Sequence, residues 1–208
     1  MQTPLLLSAA VLLTALSGEL PDLRIGDAMP LPTHKMMDVS GSEVALDEIS
    51  RPNGTLVIFS CNTCPFVIGS EDSEGWEGRY PALAGFCTEN DVGFVLVNSN
   101  EAKRGKGDGY EDMKLHYKEH RYQQYYLLDK DHVLADAFGA RTTPHVFLFD
   151  KTGRLVYKGA IDDSVESAKQ VTRNYVRDAI ASLVAGRPIE PATTRNIGCS
   201  IKRVAAEH

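Results

Sequence analysis

The sequence predicts an α/β fold, with a mixed central β-sheet flanked by helices, and three observations carry that prediction. Two short β-branched apolar runs, Thr55–Ser60 and 92–97, lie either side of a segment long enough to hold a helix. A strand, helix, strand succession of that length is a βαβ unit, so its two strands run parallel. Residues 146–149 and 155–157 form a second pair of β-rich runs around the polar turn Asp150-Lys151-Thr152-Gly153, the pattern of an antiparallel hairpin. Residues 165–185 then place Ala168, Val171, Tyr175, Ala179 and Leu183 on one apolar helical face, which Gly186 and Pro188 terminate.

The other elements follow in chain order. Residues 4–16 read PLLLSAAVLLTAL, shorter than the roughly 20 apolar residues a bilayer span needs. The run fits the apolar region of a secretory signal, and Ala15 and Ser17 supply small residues for cleavage before Gly18. No Lys or Arg precedes it, but a buried amphipathic helix would need a polar face that the run lacks. Residues 1–17 are therefore read as a signal peptide, 18–186 as one domain, and 187–208 as an irregular tail carrying Cys199. The expected compartment is periplasmic or extracellular, with no membrane span after cleavage. A formal charge of −6 without a basic stripe argues against nucleic acid as a partner.

Strand Thr55–Ser60 is apolar enough to be buried on both faces. A helix is expected over 65–88, interrupted near Gly75 and Gly78. Residues 111–120 and 131–138 read as short helices around a short strand, Tyr125–Leu128. The stretch Lys103-Arg104-Gly105-Lys106 and the glycines to Gly109 read as a mobile, solvated loop. It is not a phosphate cradle, because no Lys-Ser/Thr pair follows.

The chemistry lies in Cys61-Asn62-Thr63-Cys64-Pro65, placed where the first buried strand turns into a helix. Two intervening residues let the sulfurs meet within one turn, and a thiol at a helix start gains unpaired backbone N–H groups that favour the thiolate. Cys61, expected to be the more exposed sulfur, would attack a substrate disulfide and Cys64 would resolve the mixed disulfide. Half a zinc site and an inert disulfide are the alternatives; neither Cys87 nor Cys199 supplies a second CxxC for zinc. Pro144 stands immediately before a buried strand, which a cis Thr143–Pro144 bond would explain. That turn would free the backbone of Thr143 to hold an extended substrate beside the sulfurs.

With these pieces in place, the chain resembles the thioredoxin superfamily, in the redoxin branch that includes AhpC/TSA and TlpA-like proteins. The resemblance rests on VIFSCNTCPF, VLVNSNE, ADAFGARTTPHVFLFDKTGRLVYKGAID and the tail GCSIKR, spanning about residues 24 to 203. It implies a thioredoxin fold with a helical insertion around 101–120, Cys61 as nucleophile, Cys64 as resolving thiol and Pro144 as the cis proline. Two departures stand out. Thr55 occupies the position of the thioredoxin buried acid, six residues before the first cysteine. The peroxiredoxin pattern Pro-x-x-x-Thr-x-x-Cys is not met, since counting back from Cys64 gives Cys61 and Val57. Cys64-Pro65 nevertheless looks like a peroxidatic Cys-Pro.

The remaining candidates are weighed against plain packing. Cys87 reads as a small buried hydrophobe. Cys199 has little around it to pack against, so it is a candidate third redox cysteine near Cys61, a bridge partner for Cys87, or a structural thiol. His145 adjoins Pro144 and could approach the sulfurs or simply be packed. His116 and His120 have metal-ligand spacing, but without a third ligand a solvated helix face is favoured. Trp76 lines the groove or fills the core. The function expected is an exported thiol–disulfide oxidoreductase without cofactor or metal, exchanging with protein disulfides or thiols and recharged by an unidentified electron donor. No cation lies between Thr55 and Gly78, so a strongly depressed thiolate is not expected and a reductant or weak isomerase is favoured over a strong oxidant. A thiol peroxidase and a copper-handling protein using the pair with His145 are the alternatives.

Overall fold

A computed structural model describes residues 20–205; the signal-peptide reading of 1–17 lies outside them. The elements are β1 (Met36–Asp38), β2 (Glu43–Val44), α1 (Leu46–Ile49), β3 (Thr55–Ser60), α2 (Pro65–Ile68), α3 (Tyr80–Glu89), β4 (Gly93–Asn98), α4 (Tyr110–Glu119), β5 (Tyr125–Leu128), α5 (Val133–Phe138), β6 (Thr142–Thr143), β7 (His145–Phe149), β8 (Leu155–Gly159), α6 (Tyr175–Val184) and β9 (Cys199–Ser200). Seven strands form one mixed sheet in the order β2-β1-β5-β4-β3-β7-β8. β3 pairs parallel with β4 and antiparallel with β7, and β7 with β8 is the expected hairpin.

β3 is buried along its whole length because both faces are covered. Leu56 and Ile58 pack toward α3 and α6 through Tyr80, Leu83, Val176 and Ile180. Val57 and Phe59 pack toward α1 and α5 through Leu46, Leu134 and Phe138. Truncating one of these central side chains to alanine should cost about 2–5 kcal/mol. Such a strand is a stiff support for whatever follows its carboxyl end, which is Cys61.

Packing bears out one sequence expectation, the interrupted helix, and corrects two. The helix expected over 65–88 is two helices, α2 and α3, separated by an irregular stretch and a 3-10 turn at Glu77–Arg79. Gly75 sits there at φ +68, where a side chain would strike the carbonyl of Val67. The helix expected from 165 starts only at Tyr175. Before it, Asp163 accepts hydrogen bonds from the N–H groups of Thr172 and Arg173, and Glu74 accepts from Ser167 Oγ and Ala168 N–H. These carboxylates satisfy backbone donors that a helix would otherwise use. The irregular tail is tied to the domain throughout: Thr194 meets Tyr157 and Ala160, Ile201 is buried in the α1/α5 core, and β9 pairs antiparallel with β6. No helix among the described residues is long and apolar enough to cross a membrane.

Candidate functional site

The chain leaves β3 at Ser60, turns through Asn62 and Thr63, and enters α2 with Cys64 as its N-cap and Pro65 at the first helical position. Pro65 is suited to that position because its missing N–H would have had no helical partner. The helix thus begins at the second cysteine, and Cys61 stays at the end of the buried strand. Cys61 is not the more exposed sulfur; it is 1% exposed and Cys64 3%.

The turn is held by a carboxylate that sequence reasoning missed. Asp108, fully buried, accepts from Asn62 N–H at 2.7 Å and Asn98 Nδ2 at 2.9 Å through Oδ1. Its Oδ2 accepts from Thr63 Oγ1 at 2.7 Å and Asn100 Nδ2 at 3.0 Å. The segment read as a mobile loop is therefore a clamp. Arg104, read as solvated, donates to Asn98 and to the carbonyls of Asp108 and Asp129. The only signal in the sequence was an acid among glycines, which also describes many surface turns.

The second wall is β6. The Thr143–Pro144 bond is cis, as expected, and Thr143 meets both cysteines. Its Oγ1 lies 3.2 Å from Cys61 Sγ, and its carbonyl accepts the Cys64 thiol proton at 3.1 Å. Opposite it, β9 pairs with β6 so that Cys199 faces Thr143. The tail cysteine packs against the core cluster that holds the pair, across Thr143 from Cys64. The sequence placed a third redox cysteine near Cys61; geometry puts it against Cys64. All four cysteines are thiols in this structure.

The two central thiols are driven apart in acidity. Cys61 is raised well above its ordinary value, by its hydrogen bond with Cys64, by burial and by the negative charge of Asp108. Cys64 is lowered from 9.0 to about 5, chiefly by the hydrogen bond from Cys61, with further ones from Cys199 and Thr143 outweighing burial. The absence of nearby cations suggested no strong depression; converging hydrogen-bond donors do the work instead. Burial pushes Cys87 up to about 12, an unreactive packed thiol as expected, and burial first and then Cys64 lift Cys199 to about 11.

The other candidates fall away from the sulfurs. Trp76 is core, with Nε1 donating to Asp162 at 2.6 Å. His145 packs on Phe147 and accepts the Arg141 N–H at 3.3 Å; burial lowers it to about 3, so it is neutral. His116 and His120 are not a solvated face. They stack 4.1 Å apart and both contact the buried Glu77, which also accepts from the Tyr122 hydroxyl. These three are the group among the described residues whose ligand atoms converge, within 4.8 Å, closely enough to hold a metal. Among the described residues, no histidine joins the sulfurs in such a group.

Comparison with known proteins places the fold and the family. An uncharacterized conserved protein from Geobacillus kaustophilus is 30% identical, covering 92% of this chain and 97% of its own, with a TM-score of 0.80. Two more distant structures share the fold. Peroxidoxin BcpB from Mycobacterium tuberculosis is 15% identical over 79% of this chain and 99% of its own, with a TM-score of 0.56. The thioredoxin domain of a thiol-disulfide oxidoreductase from Bacteroides vulgatus is 20% identical over 67% and 90%, with a TM-score of 0.50. No functionally curated protein matches the chain. The Redoxin family profile matches residues 24–173, including the cysteine turn, the clamp and the cis proline. With its mixed seven-stranded sheet and thioredoxin-like fold, this chain belongs to the Redoxin family.

Proposed function

We propose that this protein is an exported thiol–disulfide oxidoreductase working through Cys61 and Cys64, with Cys64 as the attacking sulfur. The observation that carries the reading is the contact of both thiols with Thr143 at the cis-proline turn, with Cys64 lowered and Cys61 raised. In this reading Cys64 thiolate attacks a partner disulfide and one partner sulfur leaves with a proton. Cys61, deprotonated as the mixed disulfide forms, then attacks Cys64 Sγ and releases the second partner thiol. The reverse sequence oxidises a partner dithiol. This exchanges the roles expected from the sequence, because the sulfur that starts the helix is the second of the pair. A lowered Cys64 favours the dithiol form, which moves the expectation from a reductant toward an intermediate potential.

The test is reduction of a protein disulfide, such as insulin, with a thiol regenerant. Cys64→Ala should abolish turnover, and Cys61→Ala should lower it at least tenfold because the Cys61–Cys64 disulfide can no longer form. Full turnover in Cys64→Ala would overturn the assignment. One observation favours a thiol peroxidase as a second reading: Cys64-Pro65 opens α2 with an acidic thiol. Peroxide consumption with dithiothreitol, retained in Cys61→Ala, would select it. Export to the periplasm or medium is part of the proposal and is tested by cleavage before Gly18.

A further inference from the structure

Residues 196–202 take the course that an extended partner peptide would take across the cis-proline turn. Thr143 pairs with Cys199 and Thr142 with Ser200 in an antiparallel register. Asn196 Nδ2 donates to Thr142 Oγ1 at 2.9 Å, and Ile201 N–H donates to the Arg141 carbonyl at 3.0 Å. Lys202 N–H donates to Asn100 Oδ1 and its carbonyl accepts from Ala102 N–H, on the segment that carries the clamp. Gly198 passes so close that a side chain there would come within 2.4 Å of the Thr143 carbonyl. The strand is held on both sides of Cys199, which pairs with Thr143, the residue that contacts both Cys61 and Cys64.

The three sulfurs lie in order of depth. Cys199 is half-buried, Cys64 is 3% exposed and Cys61 is 1% exposed. A partner therefore meets Cys199 before it meets the pair, and the backbone edge it would use at Thr143 is already occupied by the protein's own chain.

We infer that Cys199 is a third catalytic cysteine, carried on a resident substrate strand, and that a Cys64–Cys199 disulfide is an intermediate between the buried pair and external partners. This rests on the proposed dithiol–disulfide activity of Cys61 and Cys64. Starting from the Cys61–Cys64 disulfide, Cys199 thiolate attacks Cys64 Sγ. The Cys64–Cys199 bond forms, the Cys61–Cys64 bond breaks, and Cys61 leaves as a thiolate that takes up the proton Cys199 gave up. No net oxidation has occurred. A partner thiolate then attacks Cys199 Sγ, releasing Cys64 thiolate. The partner's second thiolate attacks its own sulfur in the mixed disulfide, releasing Cys199. Two electrons have passed from the partner dithiol to the protein. Run backward, the same steps reduce a partner disulfide.

The experiment is equilibration of the intact chain with reduced and oxidised glutathione, acid quenching, alkylation and disulfide mapping by mass spectrometry. In the wild type, a peptide pair linking Cys64 to Cys199 should appear at intermediate ratios alongside the Cys61–Cys64 peptide. In Cys61→Ser, oxidised glutathione should convert Cys64 and Cys199 to an intramolecular disulfide with release of two glutathione thiols. In Cys199→Ser, the Cys61–Cys64 pair should still titrate, while its rate of exchange with insulin should fall at least tenfold. A wild-type pair that titrates without any Cys64–Cys199 link, together with glutathione retained on Cys64 in Cys61→Ser, would overturn the inference alone. A wild-type pair that never forms a disulfide at any ratio would overturn the proposed function, and the inference with it. The wild-type mapping needs no variant to fold.

Discussion

Varying pH from 4 to 9 under redox equilibrium perturbs one group above all, the Cys64 thiol, which ionises at about 5 and not at 9.0. The sign is fixed by linkage. An acid stronger in the dithiol form than an ordinary thiol stabilises that form whenever the pH exceeds its lowered value. At pH 7 the stabilisation spans two pH units, about 2.7 kcal/mol, since each unit is worth about 1.36 kcal/mol. For a two-electron couple this raises the potential by about 60 mV over an unshifted pair. A thioredoxin thiol at about 7 is already half-ionised at pH 7, so on ionisation alone this pair stands about 50 mV above thioredoxin's roughly −270 mV, near −220 mV. The assay is glutathione equilibration at each pH, with the Cys61 and Cys64 peptides quantified separately. Below about pH 5 two protons accompany two electrons and the potential should fall by about 59 mV per unit. Above it only Cys61 still binds a proton and the slope should halve to about 30 mV. A single steep line up to pH 8, with a potential at or below thioredoxin's, would show Cys64 to be an ordinary thiol and refute the reasoning.

Further outcomes follow from the surrounding polar groups. Asp108→Asn replaces one carboxylate oxygen, which accepts two donors, with an amide nitrogen that accepts none, and should cost about 1–3 kcal/mol in denaturant unfolding. It should also lower the Cys61 thiol toward its ordinary value, read by alkylation rate against pH, because the Asp108 charge is removed. Burial raises Glu77, but hydrogen bonds from His116 and Tyr122 outweigh it and hold the carboxyl below its ordinary 4.5. Its contribution is therefore complete above about pH 4.5 and lost as pH falls through the lower folded value. Glu77→Gln should destabilise at pH 7 by about 1–3 kcal/mol and weaken that acid sensitivity, as measured by thermal melts. His145 is lowered from 6.5 to about 3, so the unfolded chain binds its proton first. Stability should decline by up to about 1.4 kcal/mol per unit as pH drops below 6.5, and His145→Asn should flatten the decline.

The sequence by itself determined the centre of the sheet and the placing of the cysteine pair at the end of β3. β-branched runs such as Thr55–Ser60 are local patterns with one stable use, a strand covered on both faces, and the hairpin at Asp150–Gly153 is set by its own turn residues. Cys61, Cys64, Thr143 and Pro144 were legible because their chemistry and the strand ends that carry them are close in sequence. Tertiary structure decided what depends on long-range contact. Which cysteine gains acidity depends first on Cys61 beside it, and then on Thr143 and Cys199 reaching Cys64 from more than 70 residues away. Asp108 became a clamp only because the insertion folds over the cysteine turn, and His116 and His120 gained Glu77 from another element. The helix expected from 165 lost its first turns to Asp163 and Glu74, whose capture of its N–H groups no periodicity records. The tail looked irregular because its hydrogen bonds go to β6, and a strand that pairs with a distant edge need carry no pattern of its own.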